Sequence, residues 1–144
     1  MKKKIIGIFI CMLLITISVC TLSASADPES ELRVGVFGAS MMSGLKRVGG
    51  VMYNDGLDTI QDVQYTFTIT GGSDDSIDIT ISDDVGNIEN NQGYMISTNE
   101  ARGYGPVTIT MTATSSNADE ATATSQGFQI GPYTISKTYL MAWF

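Results

Sequence analysis

Two runs in this chain alternate apolar and polar side chains without a break: Val63-Gln64-Tyr65-Thr66-Phe67-Thr68-Ile69-Thr70 and Val107-Thr108-Ile109-Thr110-Met111-Thr112. Successive side chains of a strand project to opposite faces, so this two-residue period gathers the apolar residues on one side; a helix would scatter them around its circumference. Each run therefore predicts a strand with one face in a core and the other, made of Thr and Gln, in water. Threonine suits that wet face because a β-branched side chain fits a pleated surface. Gly71-Gly72 stops the first run and Gly105-Pro106 introduces the second.

The remaining runs are shorter. Leu32 to Met41, Leu45 to Tyr53, Ile77 to Ile81, Tyr94 to Ser97, Ala121 to Ile130 and Tyr133 to Leu140 read as strands, punctuated by Asp83-Asp84, Gly131-Pro132 and the small polar loop Ser115 to Glu120. Asn54-Asp55-Gly56 closes one of them as a turn whose residues tolerate positive φ. No stretch sustains a 3.6-residue apolar period. The chain is therefore expected to be all-β. About seven to eight short strands with a turn signal every ten or so residues describe an immunoglobulin-like antiparallel β-sandwich, with a closed barrel as the rival.

Residues ahead of Leu32 read differently. Lys2-Lys3-Lys4, an apolar stretch from Ile5 to about Val19 and the small residues Ala24 and Ala26 make the three-part pattern of a secretory signal, with cleavage expected after Ala26. A retained membrane anchor is the alternative, although the apolar stretch is shorter than the roughly 20 residues a spanning helix needs. Cys20 invites a lipoprotein reading, but Ile17-Ser18-Val19 sets a branched side chain where a small one is wanted. The expected organisation is a signal peptide at 1–26, an acidic leader at 27–31 and one domain at 32–144, in the secreted or cell-surface compartment.

Removing those 26 residues from 144 leaves 118, with five basic and fifteen acidic side chains, a net charge of −10, and neither Cys nor His. Disulfide staples, Cys/His zinc sites, haem ligation by those residues and Ser-His-Asp or Cys-His catalysis are then excluded from the mature chain for want of the atoms. Phosphate contacts need clustered Lys and Arg, so no nucleic-acid partner is expected, and a membrane partner only through a retained signal segment.

At this point the order of segments matters. Gly50-Val51-Met52-Tyr53-Asn54-Asp55-Gly56, then Thr59-Ile60-Gln61-Asp62-Val63 and the alternating strand up to Gly71-Gly72, resembles the start of a CARDB-type domain, an adhesion-related immunoglobulin-like module. Gly103-Tyr104-Gly105-Pro106-Val107-Thr108-Ile109-Thr110, followed by Gly127-Phe128-Gln129-Ile130-Gly131-Pro132-Tyr133, is similar to the closing strands of small secreted immunoglobulin-like proteins of archaea and bacteria. The resemblance covers about Leu32 to Ile135. Ser82 to Glu100 departs from it, with Ile88-Glu89-Asn90-Asn91-Gln92-Gly93 standing where the family carries a Leu-x-x-Gly-x-Ser rise. The resemblance implies extracellular structure or adhesion and no active site.

Three features bear on chemistry. Asp74, Asp75, Asp78, Asp83 and Asp84 are the candidate calcium ligands. They come as adjacent pairs without the alternating carboxylates of a calcium loop, and neighbours on an extended segment point apart, so solvated turns are the expected role and no cofactor is required. Gly35, Gly38, Gly49 and Gly50 lack the strand-to-helix setting of a phosphate cradle and are expected to let a strand bend or bulge. The apolar run with Tyr139, Leu140, Met141, Trp143 and Phe144 either completes the last strand or adds to the sheet edge of another molecule. These features favour a non-catalytic structural or adhesive surface module, with self-assembly through strand addition as one mode open to it, over its alternative, a secreted binding module that recognises a small ligand or carbohydrate through its loops.

Overall fold

The two alternating runs become neighbours. Residues 31–38 and 47–136 are described by the structure, a computed structural model. In chain order the described strands are β1 (Leu32–Phe37), β2 (Val48–Asn54), β3 (Ile60–Gly71), β4 (Ile77–Ile88), β5 (Gly93–Thr98), β6 (Gly103–Thr114), β7 (Ala121–Gly131) and β8 (Tyr133–Ser136), with a 3-10 turn at Ser73–Asp75. The expected signal segment, the expected leader up to Ser30, residues 39–46 and the tail from Lys137, with Tyr139, Leu140, Met141, Trp143 and Phe144, lie outside the described residues.

All the pairings are antiparallel and fall into two sheets, ordered β1-β2-β5 and β4-β3-β6-β7-β8. An immunoglobulin constant-type domain puts its first, second, fourth and fifth strands in one sheet and its third, sixth and seventh in the other. Here the fourth strand instead pairs with the third, and a short eighth strand folds back on the seventh. The fold is thus an immunoglobulin-like sandwich and not a closed barrel.

Between the sheets lies one core. The inward parity of β3 supplies Val63, Tyr65, Phe67 and Ile69, and that of β6 supplies Val107, Ile109, Met111 and Ala113, all buried. Register sets Phe67 opposite Met111 and Ile69 opposite Ile109. Val34, Val36, Val48, Met52 and Ile96 close over them from the smaller sheet. Each large side chain buried this way contributes roughly 1.5–3 kcal/mol relative to leaving it in water.

Three expectations are corrected. β4 does not end at Asp83-Asp84 but runs through both to Ile88, with register shifts where Ile60, Val63 and Gln64 of β3 face it and with Gly86 at positive φ. Among the described residues β4 is an edge strand, and such a strand can carry two acids in mid-course and absorb a bulge because one of its sides has no ladder to break. Gly35, Gly49 and Gly50 produce no bulge: β1 and β2 pair in unbroken register, and a Cβ on Gly50 would collide with the Met111 sulfur. Gly50 serves close approach between the sheets, its backbone against the Met111 side chain, whereas a Cβ on Gly49 would meet the Ile96 carbonyl and the Phe37 ring of its own sheet.

The third correction concerns Asn54-Asp55-Gly56. It is no hairpin turn, and none of the three residues has positive φ. β2 and β3 belong to different sheets, so the segment is a crossover, organised by a fully buried Asn54 side chain. Its Nδ2 donates to the carbonyls of Asp58 (2.8 Å) and Ile88 (2.9 Å), and its Oδ1 accepts from the Gly56 N–H (3.0 Å), an Asx turn. One side chain therefore ties β2, the crossover and the end of β4 together. Outside it, Arg33 pairs with Asp55 at 2.7 Å and with Glu31 at 3.0 Å, and these neighbouring carboxylates raise the guanidinium pKa from its ordinary value.

Candidate interaction surface

The last two strands of the larger sheet turn the usual pattern inside out. On β7 the inward parity is Ser125, Gly127 and Gln129, while Phe128 and Ile130 point outward; on β8 Thr134 and Ser136 are buried, and Tyr133 and Ile135 take the outward parity. A strand that faces a core normally does the reverse, and a shift of one residue would exchange the two faces.

Gln129 holds the register. It is fully buried, its Nε2 donates to the carbonyls of Ala101 (2.9 Å) and Gly131 (2.8 Å), and its Oε1 accepts from the Thr134 hydroxyl. A buried amide costs free energy unless its hydrogen bonds are made, and here both ends of it are engaged. The β7–β8 connection fits the same frame: Ile130 pairs with Tyr133, and Gly131 at φ 59° supplies the positive φ of a two-residue hairpin before Pro132.

Register then assembles the outward side chains into rows across three strands. Tyr104, Ile130 and Tyr133 form one row; Pro106, Phe128 and Ile135 form the next. Tyr104 is 62 % exposed and Phe128 36 %, and their rings meet edge to face with centroids 5.1 Å apart. Pro106 can sit inside a sheet here because the N and O of one strand residue point the same way. Its carbonyl accepts from the Gly72 N–H at 2.7 Å, so its missing N–H faces the place where β3 has ended.

Beyond the apolar rows the same face is hydroxylic. Thr70, Thr108 and Gln126 make the third row, Thr68, Thr110 and Thr124 the fourth, and Thr66, Thr112 and Thr122 the fifth. Their polar atoms bond sideways: Thr108 to Gln126 (3.2 Å), Thr110 with Thr124 (3.2 Å), Thr112 with Thr122 (3.0 Å) and Thr66 with Ser82 (3.0 Å). At the far end Gln64, Thr66, Ser82, Asp84, Thr112 and Thr114 line a shallow open depression of about 350 Å³. Tyr65 and Asp83 also border it; burial, then the Asp83 carboxylate, then Tyr94 raise the Tyr65 pKa above its ordinary value.

The aspartates singled out from the sequence are not brought together. Asp74 and Asp75 sit in the 3-10 turn, Asp78 pairs across from Thr70 on the outward face of β4, and Asp83 and Asp84 occupy successive, oppositely directed positions. Asp83 accepts from the Asp84 N–H (2.9 Å) and Asp84 from the Gly86 N–H (2.7 Å), so these carboxylates serve local backbone geometry. Among the described residues no three His, Cys, Asp or Glu side chains converge where a metal ion could be held. Sequence reasoning had instead passed over Tyr104, Phe128, Ile130, Tyr133 and Ile135. The available signal was the inverted parity of Ser125-Gln126-Gly127-Phe128-Gln129-Ile130, where the apolar residues occupy the wrong alternate positions if Ala121 and Ala123 face inward.

No protein-family model matches the chain, and neither a curated protein nor a solved structure is found to be similar to it.

Proposed function

We propose that this chain is a secreted or cell-surface, non-catalytic structural or adhesion module that acts through the outer face of its five-stranded sheet. One observation carries the reading: Phe128, Ile130, Tyr133 and Ile135 take the outward parity while Gln129 and Thr134 are buried behind them. Exposed apolar side chains gathered into a contiguous patch mark an interaction surface, whereas scattered ones need no explanation. The secretory pattern ahead of Asp27 and the CARDB-type resemblance support the same reading.

A second reading has its own observation in favour. An apolar end beside rows of hydroxyls suits a carbohydrate, which has a C–H face and a rim of hydroxyl groups, and the depression at Gln64 and Asp84 adds hydrogen-bonding partners. One experiment tests both. Mature protein is sedimented with cell envelopes of its native host, beside a Tyr104→Ser/Phe128→Ser variant whose fold is checked by circular dichroism. The module reading expects wild-type retention and loss in the variant. Wild-type protein that stays in the supernatant overturns it, and retention abolished by soluble oligosaccharides moves the carbohydrate reading ahead.

A further inference from the structure

Charge is unevenly spread over the surface, and its distribution points to the partner. Among the described residues thirteen carboxylates lie in loops, in the 3-10 turn or along β4, with Asp62 alone near the start of β3. The outward positions of β6, β7 and β8 hold Tyr104, Pro106, four threonines from Thr108 to Thr114, Thr122, Thr124, Gln126, Phe128, Ile130, Tyr133 and Ile135, with no Asp, Glu, Lys or Arg among them. The adjoining outward positions of β3, from Gln64 to Thr70, are equally neutral. A mature chain of net charge −10 repels its own copies. Two copies can meet only where carboxylates do not oppose one another, because like charges across an interface cost several kcal/mol.

We infer that this neutral face is a homotypic contact, packed against the same face of a second copy of the chain. The inference rests on the module reading above and names its partner. A two-fold arrangement brings the same patch to both sides, and this patch is self-complementary in the required sense, being uncharged throughout. The hydroxyl rows favour it too. Because Thr108, Thr110, Thr112 and Thr66 already bond to neighbours in the sheet, removing water from above them leaves fewer polar groups without partners. Four strands about 4.8 Å apart, averaging about nine residues because β8 is short, give a face of roughly 500–600 Å². Two such faces bury about 1,000–1,200 Å², the size of a weak and reversible contact rather than an obligate one.

Sedimentation equilibrium of the mature chain, Asp27 to Phe144, over about 5–500 μM tests this. The expected result is a monomer–dimer equilibrium with a Kd in the micromolar to millimolar range, not weakened as salt rises from about 0.05 to 0.5 M because no ion pair holds it. Gln126→Asp and Gln126→Lys variants place a charge in the middle of the face without touching the core. Each alone should be monomeric, and an equimolar mixture should associate. A wild-type monomer at every concentration overturns the inference; if that monomer still sediments with envelopes through Tyr104 and Phe128, the module reading stands, and if it does not, both fall. A dimer that persists in both charged variants, or one that vanishes on deleting Tyr139 to Phe144 while the charged variants keep it, assigns association elsewhere and also overturns the inference.

Discussion

Replacing Asn54 by Ala removes a side chain with no solvent exposure and three hydrogen bonds, to the Asp58 and Ile88 carbonyls and from the Gly56 N–H. At a net of about 1 kcal/mol for each bond, with a further penalty because backbone groups are left behind in a buried site, the loss is about 3–4 kcal/mol. A domain of this size has only about 5–15 kcal/mol in all. Equilibrium urea unfolding should therefore show a clear fall in midpoint with an unchanged slope, and the thermal midpoint should drop by roughly 12–25 °C. Asn54→Asp has the same shape and keeps the acceptor for Gly56, but turns an oxygen toward two carbonyls, so it should destabilise at least as much. A loss below about 1 kcal/mol for Ala, or a neutral Asp, would mean that these hydrogen bonds do not hold the crossover between the sheets.

Gly50→Ala drives a methyl group into the Met111 sulfur and should cost about 1–3 kcal/mol, with part of it restored in a Gly50→Ala/Met111→Val double variant; additive losses in chemical denaturation would refute the contact. Tyr65 has a raised pKa in the folded chain, so the unfolded chain loses that proton first. Its contribution is whole below the ordinary tyrosine value near 10 and disappears as pH climbs through the higher folded value, so Tyr65→Phe should flatten the alkaline limb of the stability profile measured by circular dichroism. Calcium at millimolar concentration should leave the thermal midpoint where it was, since the five candidate aspartates are dispersed; a rise of many degrees would show a native-state site.

What could be read from the sequence was whatever a strand settles by itself. β3 and β6 carry their parity in their own residues, so Val63 to Thr70 and Val107 to Thr112 gave the core face and the wet face correctly, and the loop at Ser115 to Glu120 followed from its composition. β7 could not be read that way. Whether Phe128 or Gln129 faces the core is decided by acceptors on Ala101 and Gly131 and a donor on Thr134, and no periodicity reports where the amide of a glutamine will find its partners. The same holds for Asp83 and Asp84, which look like a turn until the bulge opposite Gly86 shows that the strand passes through them. Sheet membership was also hidden: the fourth and fifth strands are consecutive in sequence, yet β4 joins β3 and β5 joins β2.

The irregular edge along β4 limits how molecules of this kind can accumulate. Its ladder with β3 shifts register between Ile60 and Val63 and again between Val63 and Gln64, and Asp78 and Asp84 stand on its outward side. An incoming strand would have to follow a bent, unevenly spaced row of backbone groups while setting its own side chains beside carboxylates, which is how natural sheets prevent lateral growth. These features disfavour hydrogen-bonded polymerisation through this edge, so the hydrophobic surface on the flat of the sheet lies beside an edge poorly suited to seed fibres. A contact made face to face by a two-fold axis uses up its surface in one step. The particle formed by the proposed pairing would be finite, because the carboxylates and irregular register along β4 give it no even edge there by which to grow.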